Sequence, residues 1–522
     1  MTASPPSIRL GWGALLVAFV LLLCSRFAPH PWAVLVADDW TNLSRSASYA
    51  STAEAVRIGL QDPNRPVSMA VLDAFFRATG GDLLPFTVVS IVCNTLLVWL
   101  AMGLCFGLTG SRLAALASGL ALALLPNLVE TYHWSTQIVN ELACALVGYA
   151  ASAWCWVRHV RTGRVGWLVA SAAAYAVALF SYEAGVFIPA AFAMLLLPLR
   201  GAWLRVALRL APFAAVVLAY GVWRVTDALG TNQSWHYPPH MQAGVSAYAL
   251  AWNTWQLLHW WIGEHLIQSV LSGWDGFMQL NPWVRRGWLA ANAALVVLAG
   301  LACRAAARAE RVAPPVRPFT LLQVGAFVVV WIAASVAPLL ISYTASRLNV
   351  LPAIGISIGL GALIARRPGS TWFFALMAPM WLSLASNQGT TEQYRQAGEF
   401  NQRVYRHLEA HRADWSARSA IVFDTAGIRD RQTRGLLSRA SDHEQAWAQY
   451  GNALLFRGFV PRGMVEHISG TRSPGVRILH DVENGARRDG EVWRWHERFD
   501  PSRAHETPTA DVYHVDLSAV TR

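Results

Sequence analysis

Asp38 and Asp39 form an acidic pair just past the first long apolar segment, Leu10 to Phe27. A charged side chain inside a bilayer costs roughly 2.5 to 3.5 kcal/mol on insertion scales. A carboxylate pair kept beside the apolar slab therefore binds a cation, pairs with a base or takes a proton. Further ionisable groups stand at the ends of later apolar segments: Arg65, His133, Glu141, Glu183 and Arg347. Arg347 follows Ser342, Tyr343 and Ser346, and a guanidinium fork in that setting suits phosphate oxygens.

The elements that must position these groups are apolar helices. Of the 522 residues, 54% are hydrophobic and only 14% charged, which excludes an ordinary soluble domain of this length and identifies a multi-pass membrane protein. The formal charge of +11 does not indicate a nucleic-acid partner. The excess of arginine lies before residue 388, in alternate short loops: Arg112; Arg158, Arg161 and Arg164; Arg200, Arg205 and Arg209; Arg304, Arg308, Arg311 and Arg317; Arg366 and Arg367. That is the positive-inside pattern. The six cysteines all fall in apolar stretches and read as free packing residues.

Apolar windows of about 20 residues fall near 10–28, 84–108, 112–128, 138–157, 165–181, 183–199, 210–227, 286–303, 321–341, 348–365 and 371–386, which gives about eleven spans. With a cytoplasmic N-terminus, every arginine cluster lies inside, and the first loop (29–83), Glu183 and the long loop 228–285 lie outside. The 248–270 stretch is apolar enough to span, but Trp252, His259 and Glu264 favour an interfacial position. The first segment reads as a retained anchor. The expected fold is thus an all-α polytopic membrane domain, residues 1–387, followed by a small mixed α/β extracytoplasmic domain, residues 388–522. Strand-like runs in the latter lie at Ala420 to Phe423, Val476 to Leu479, Val492 to Trp495 and Val512 to Val515. The expected location is the bacterial inner (plasma) membrane, among its lipids.

Several motifs occur in a telling order: Asp38-Asp39-Trp40 after span one; Arg65-Pro66-Val67-Ser68 before span two, which carries Asn94; Tyr132-His133-Trp134-Ser135 with Glu141 opening span four; Ser181-Tyr182-Glu183-Ala184-Gly185 with Pro189 opening span six; and Ser346-Arg347-Leu348-Asn349 with Pro352 opening span ten. Together they resemble the GT-C superfamily of integral-membrane glycosyltransferases, in particular protein O-mannosyltransferases and their bacterial relatives, over residues 10–365. Two departures stand out. The histidines that often flank the span-two asparagine are replaced by Ile91 and Val98, and the sugar-binding repeat domains of the eukaryotic members are absent.

The resemblance implies a sugar donor on a polyprenyl phosphate and a protein, glycan or lipid acceptor arriving from the extracytoplasmic side. Asp39 or Asp38 would be the base that takes the proton of an unactivated acceptor hydroxyl, with inversion at the anomeric carbon. Arg347, Arg65, Glu183, His133 and Tyr343 would bind donor or acceptor, and the 228–285 loop, with Trp235 and His236, would form a lid over the donor. No cofactor is certain; a divalent cation, if present, would fall to Asp38, Asp39 and Glu183.

Plainer readings stand beside each assignment. An aspartate of the pair could cap the following helix, Glu183 could be structural glue with Arg65 or Arg347, and Glu141 could be a hydrogen-bonded core carboxyl. His133 could be an interfacial histidine, Arg347 a snorkelling anchor, and the loop tryptophans an aromatic belt. Two other classes compete. A transporter or flippase of a lipid-linked sugar would show an inverted repeat, and none is seen; a non-catalytic assembly subunit would leave the aspartate pair unexplained.

Overall fold

The computed structural model describes residues 20, 35, 39–61, 65–124, 129–197, 203–230, 251, 254–255, 274, 277–278, 279–312, 318–341, 349–366, 372–424, 459–471, 474–497 and 500–520. The first loop is folded rather than extended. It contains α1 (Asp39–Ser48), α2 (Thr52–Gln61) and α3 (Pro66–Thr79). The bundle follows: α4 (Leu83–Thr109), α5 (Arg112–Leu124), a continuous helical run Ser135–Thr162 that ends in α6 (Val147–Thr162), then α7 (Val165–Ser181), α8 (Pro189–Met194), α9 (Trp203–Gly230), α10 (Pro282–Val312), α11 (Leu321–Ile341), α12 (Val350–Arg366) and α13 (Trp372–Ala410). Among the described residues five helices are long and apolar enough to cross a membrane, and shorter apolar helices stand beside them. The all-α polytopic expectation therefore holds.

Local signals set the helix ends. Asp82 accepts the Leu84 N–H at 3.1 Å to start α4, and glycines in the left-handed region stop α4 at Gly110 and α6 at Gly163. Small residues let backbones touch. A β-carbon on Gly361 of α12 would come within 3.1 Å of the Ser118 nitrogen of α5 and closer still to the Ala114 carbonyl, so only glycine fits where these two helices cross.

The arginine-bearing ends of the helices gather at one end of the bundle. Arg161 Nη1 donates to the Gly107 carbonyl at 3.4 Å, Glu310 receives the Ser111 hydroxyl and the Leu113 N–H, and Ile364 packs with Leu113, Cys303 and Ala306. At the opposite end, Trp223 of α9 donates to the Leu60 carbonyl of the first loop at 3.3 Å. Because α10 finishes among the arginines, it starts where α9 finishes. Arg285 and Arg286 thus sit at the arginine-poor end, where Arg285 donates to the Met278 carbonyl at 2.8 Å and Arg286 lies 4.9 Å over the Trp283 ring.

Two helices depart from the expected spans. The 183–199 window is a short 3-10 turn, Glu183–Gly185, followed by the six-residue α8. Pro189 can begin a helix but cannot continue one, which resets the chain there. The last window does not stop at 386, since α13 runs unbroken to Ala410. No proline interrupts 381–410, so the helix carries the chain out of the bundle and into the tail.

In the tail, β1 (Ala420–Asp424) lies between β2 (Arg477–His480) and β6 (Val512–Asp516), parallel to both, and α14 (Phe459–Ser469) covers the sheet. β3 (Arg487–Asp489), β4 (Val492–Glu497) and β5 (Asp500–Pro508) form an antiparallel meander. The expected mixed α/β character is present. The tail does not close its own core, however: Phe423, Met464, Val465 and Val404 pack in one buried cluster with Leu35, Trp40 and Trp134 from the other side of residue 388.

Candidate active site

Arg65 stands immediately before α3 with φ 60° and ψ 68°, the left-handed region, and is the one non-glycine residue there among those described. The following Pro66 bars it from the right-handed helical region, and its own β-carbon resists the left-handed one. Neighbouring contacts hold the conformation. Its guanidinium carbon is 3.6 Å from the centroid of the Tyr182 ring, and Nε and Nη2 reach the two carboxylate oxygens of Glu183 at 3.2 and 3.4 Å. Three residues on, the Ser68 hydroxyl donates to the Ser181 carbonyl at 2.7 Å. Two motifs more than a hundred residues apart in the chain are thus clasped together. The sequence had left Arg65 and Arg347 as possible partners of Glu183, and the described structure supplies Arg65.

Asp39 is the first residue of α1 and is fully buried. Its Oδ1 accepts the Thr136 N–H at 2.8 Å. Thr136 lies in the first turn of the Ser135–Thr162 run, so the carboxylate rests on unsatisfied donors at a helix start, where negative charge is favoured. Asp39 does serve as a helix cap, though of a helix from another part of the chain. Immediately beyond, Ile138–Leu146 is π-helical, and Val147 N–H bonds to the Leu142 carbonyl five residues back. Glu141 lies within this segment, buried.

A second set of buried hydrogen bonds starts at His133. His133 Nε2 is 2.9 Å from the Thr391 hydroxyl, which donates to the Asn387 carbonyl at 2.9 Å, and Asn387 Nδ2 donates to Leu124 at 3.3 Å. His133 is 1% exposed, so its ring is enclosed by the protein rather than open to solvent. It bridges two helices because the uninterrupted α13 brings Thr391 alongside. The boundary expected at 387/388 puts Asn387 in the membrane domain and Thr391 in the tail, whereas one helix carries both; their i, i+4 spacing at the end of an apolar helix was the signal for a buried polar face. Ser90 Oγ donates to the Tyr132 carbonyl at 2.8 Å, and Asn94 Nδ2 bonds back to Ser90.

The first loop is pinned as well. The Ser46 hydroxyl and Arg77 Nε reach Asp73 at 2.6 and 2.8 Å. Burial opposes the Asp73 carboxylate, yet these hydrogen bonds outweigh it and hold its pKa below the usual carboxylate value.

Asp38, Arg347, Tyr343, Trp235, His236 and most of the 228–285 segment lie outside the described residues. Among the described residues, no three His, Cys, Asp or Glu side chains are grouped to hold a metal ion.

Residues 62–223 match the family model described as dolichyl-phosphate-mannose-protein mannosyltransferase. Among solved structures, the chain is similar to ArnT from Cupriavidus metallidurans bound to undecaprenyl phosphate, at 14% identity and TM-score 0.32, covering 89% of this chain and 88% of that one. The apo state of the same protein gives 14% identity and TM-score 0.32, covering 90% and 88%. No curated protein matches. The family match covers Arg65, Asn94, His133 and Glu183 and leaves Asp39 and everything after residue 223 outside it.

Proposed function

We propose that the chain transfers a sugar from a polyprenyl-phosphate donor to an acceptor hydroxyl at the end of the bundle where the first loop meets the tail, and that this end faces away from the cytoplasm. One observation carries the reading. The motif residues are joined to each other across the chain, Arg65 to Glu183, Ser68 to Ser181, Asp39 to Thr136 and Ser90 to Tyr132, all at the end opposite the arginines.

In this mechanism Asp39 accepts the proton of the acceptor hydroxyl as its oxygen bonds to the anomeric carbon. The bond from that carbon to phosphate breaks, and the polyprenyl phosphate leaves with the electron pair. A single displacement inverts the anomeric centre. Burial of Asp39 shields the base and the proton it takes from bulk water. Arg347 holds the leaving phosphate by its fork. Arg65 and Glu183, bound to each other, fix the mouth of the site. A divalent cation would require Asp38 and Asp39, since Glu183 is engaged by Arg65.

Lipid mass spectrometry of membranes with and without the gene product tests the reading: one polyprenyl-phosphate-linked sugar accumulates when the protein is missing. An unchanged lipid profile would reject it. For the facing, a reporter active only outside the cytoplasm is expected to work when fused after Ala385 and to be silent after Arg308; the reverse pattern would invert the bundle.

A further inference from the structure

Beside Asp39 lies a group of buried polar atoms that nothing among the described residues satisfies. Asn94 Oδ1, Thr95 Oγ1, Thr136 Oγ1, Gln137 Oε1 and Asn140 Oδ1 have no hydrogen-bond partner, and their residues are 0, 7, 0, 6 and 9% exposed. Buried polar atoms are rarely left unpaired, and each exception calls for a reason such as an absent water, ion or ligand. The two threonines differ from their neighbours. Thr79, Thr87 and Thr109 donate to the carbonyl four residues back, which is the ordinary resting state of a helical hydroxyl. Thr95 and Thr136 do not.

The positions belong together. Thr136 carries the N–H that Asp39 accepts. Gln137 and Asn140 follow on the same helical run, the latter inside the π-helical segment, a distortion found often at functional sites. Asn94 and Thr95 are on α4, which packs against that segment and is tied to Tyr132 through Ser90. Asn94 and Thr95 stand near the middle of α4, one turn beyond the Ser90 that holds the Tyr132 carbonyl. Three of the five atoms are amide oxygens. The orientation of Asn94 is fixed, because its Nδ2 must be the atom that donates to the Ser90 carbonyl at 2.9 Å. A surface of acceptors and hydroxyls next to a carboxylate calls for a partner with several O–H groups in a compact, uncharged frame.

We propose that Asn94, Thr95, Thr136, Gln137 and Asn140 form the seat of a saccharide ring, receiving its hydroxyl groups beside Asp39. This deepens the sugar-transfer reading and rests on it for the placement of Asp39. The same chemistry is offered by the sugar of the lipid donor and by a sugar acceptor, and the test separates them.

Full-length protein in lipid nanodiscs is titrated with undecaprenyl phosphate, with undecaprenyl phosphate carrying a panel of hexoses and pentoses, and with soluble methyl glycosides. The wild type is compared with Gln137→Met and Asn140→Leu, which keep side-chain shape and remove the acceptor. The expected result is a loss of affinity of about tenfold per variant, the size of one hydrogen bond to a neutral group, for the preferred saccharide probe, with binding of sugar-free undecaprenyl phosphate unchanged. A loss confined to the lipid-borne sugars makes the occupant the donor; a loss confined to methyl glycosides makes it the acceptor. Variants that bind every saccharide probe as the wild type does overturn the proposal, as does a wild type that binds none of them. A wild type that binds methyl glycosides through these residues but no polyprenyl phosphate would instead overturn the lipid-donor reading and leave the seat standing.

Discussion

Gly463 of α14 lies directly against the backbone of α1 at Trp40. A β-carbon placed on it would sit 2.6 Å from the Trp40 carbonyl carbon, 2.5 Å from the Thr41 nitrogen and 2.9 Å from the Trp40 β-carbon. Asp39 is the next residue toward the N-terminus. The indole of Trp40 also stacks on Tyr405 of α13 with ring centroids 4.9 Å apart, and Asn401 Nδ2 donates to the Leu35 carbonyl at 3.3 Å. The tail thus grips the carboxylate-bearing helix one residue from the proposed base. Since the atoms facing Gly463 are mostly backbone, they cannot swing aside. Gly463→Ala is expected to cost about 1–3 kcal/mol as overpacking and to slow transfer at least tenfold while the protein still inserts. Turnover and thermal melting of the purified variant check both, and full activity would release Asp39 from tail control.

Asp39→Asn keeps an oxygen for the Thr136 N–H but removes the base. Transfer is expected to fall by at least the ~100-fold typical of lost general-base catalysis, with the melting temperature little changed. Asp39→Leu also orphans the Thr136 N–H and should lose about 1–3 kcal/mol of stability in addition. A fully active Asp39→Asn would move the base to Asp38 or reject the mechanism.

Arg65 uses both its fork and its flat face, on Glu183 and on Tyr182. Lysine retains the charge alone, so Arg65→Lys is expected to reduce turnover by about tenfold, the range of one lost charge-assisted hydrogen bond. Arg65→Gly relieves the left-handed backbone but removes the hydrogen-bonded partner of Glu183, and a larger loss is expected. Steady-state rates of the two variants in matched membranes decide the order; a glycine variant more active than lysine would mean that backbone strain outweighs the ion pair.

Arg347 is expected to act on donor saturation. Arg347→Lys should weaken donor use in part and Arg347→Ala severely, with acceptor dependence little altered, because a point charge replaces a fork. Equal rates for wild type and both variants across donor concentrations would return Arg347 to a snorkelling role.

The tail should lose stability in mild acid. Burial pushes the His467 imidazole below its ordinary pKa of 6.5, and His407 is pushed the same way by burial and by the neighbouring His411 ring, 4.3 Å away. Both therefore take up protons at lower pH in the fold than in the unfolded chain. The unfolded chain takes up protons as pH falls through 6.5 before the folded chain does, so stability declines below that value and is retained above it. Melting temperatures measured between pH 7.5 and 5 are expected to drop, and His467→Gln should flatten the slope. A flat profile in the wild type would show that neither imidazole is buried neutral.

Sequence alone determined what depends on local chemistry. Apolar windows marked most helices of the bundle, though not the short turn at Glu183–Gly185 or the full length of α13, and arginine-rich turns marked their common end, because the cost of a polar group in lipid is read residue by residue. Strands β1, β2, β4 and β6 were visible as short apolar runs. β3 and β5 were not, since Arg487–Asp489 and Asp500–Pro508 are largely polar and gain their place only by pairing with β4; the Asp489-Gly490 step was the available hairpin signal. The site divides in the same way. Asp39, Arg65, His133 and Glu183 stood out by type and position, and Arg65 was one of two named partners for Glu183. That Asp39 would rest on Thr136, that Gln137 and Asn140 would keep unsatisfied amide oxygens, and that Gly463 would press on Trp40 could not be read from the sequence. These contacts join residues from 97 to more than 400 positions apart, where no local propensity acts, and only the packing of the tail and first loop into one core brings them together.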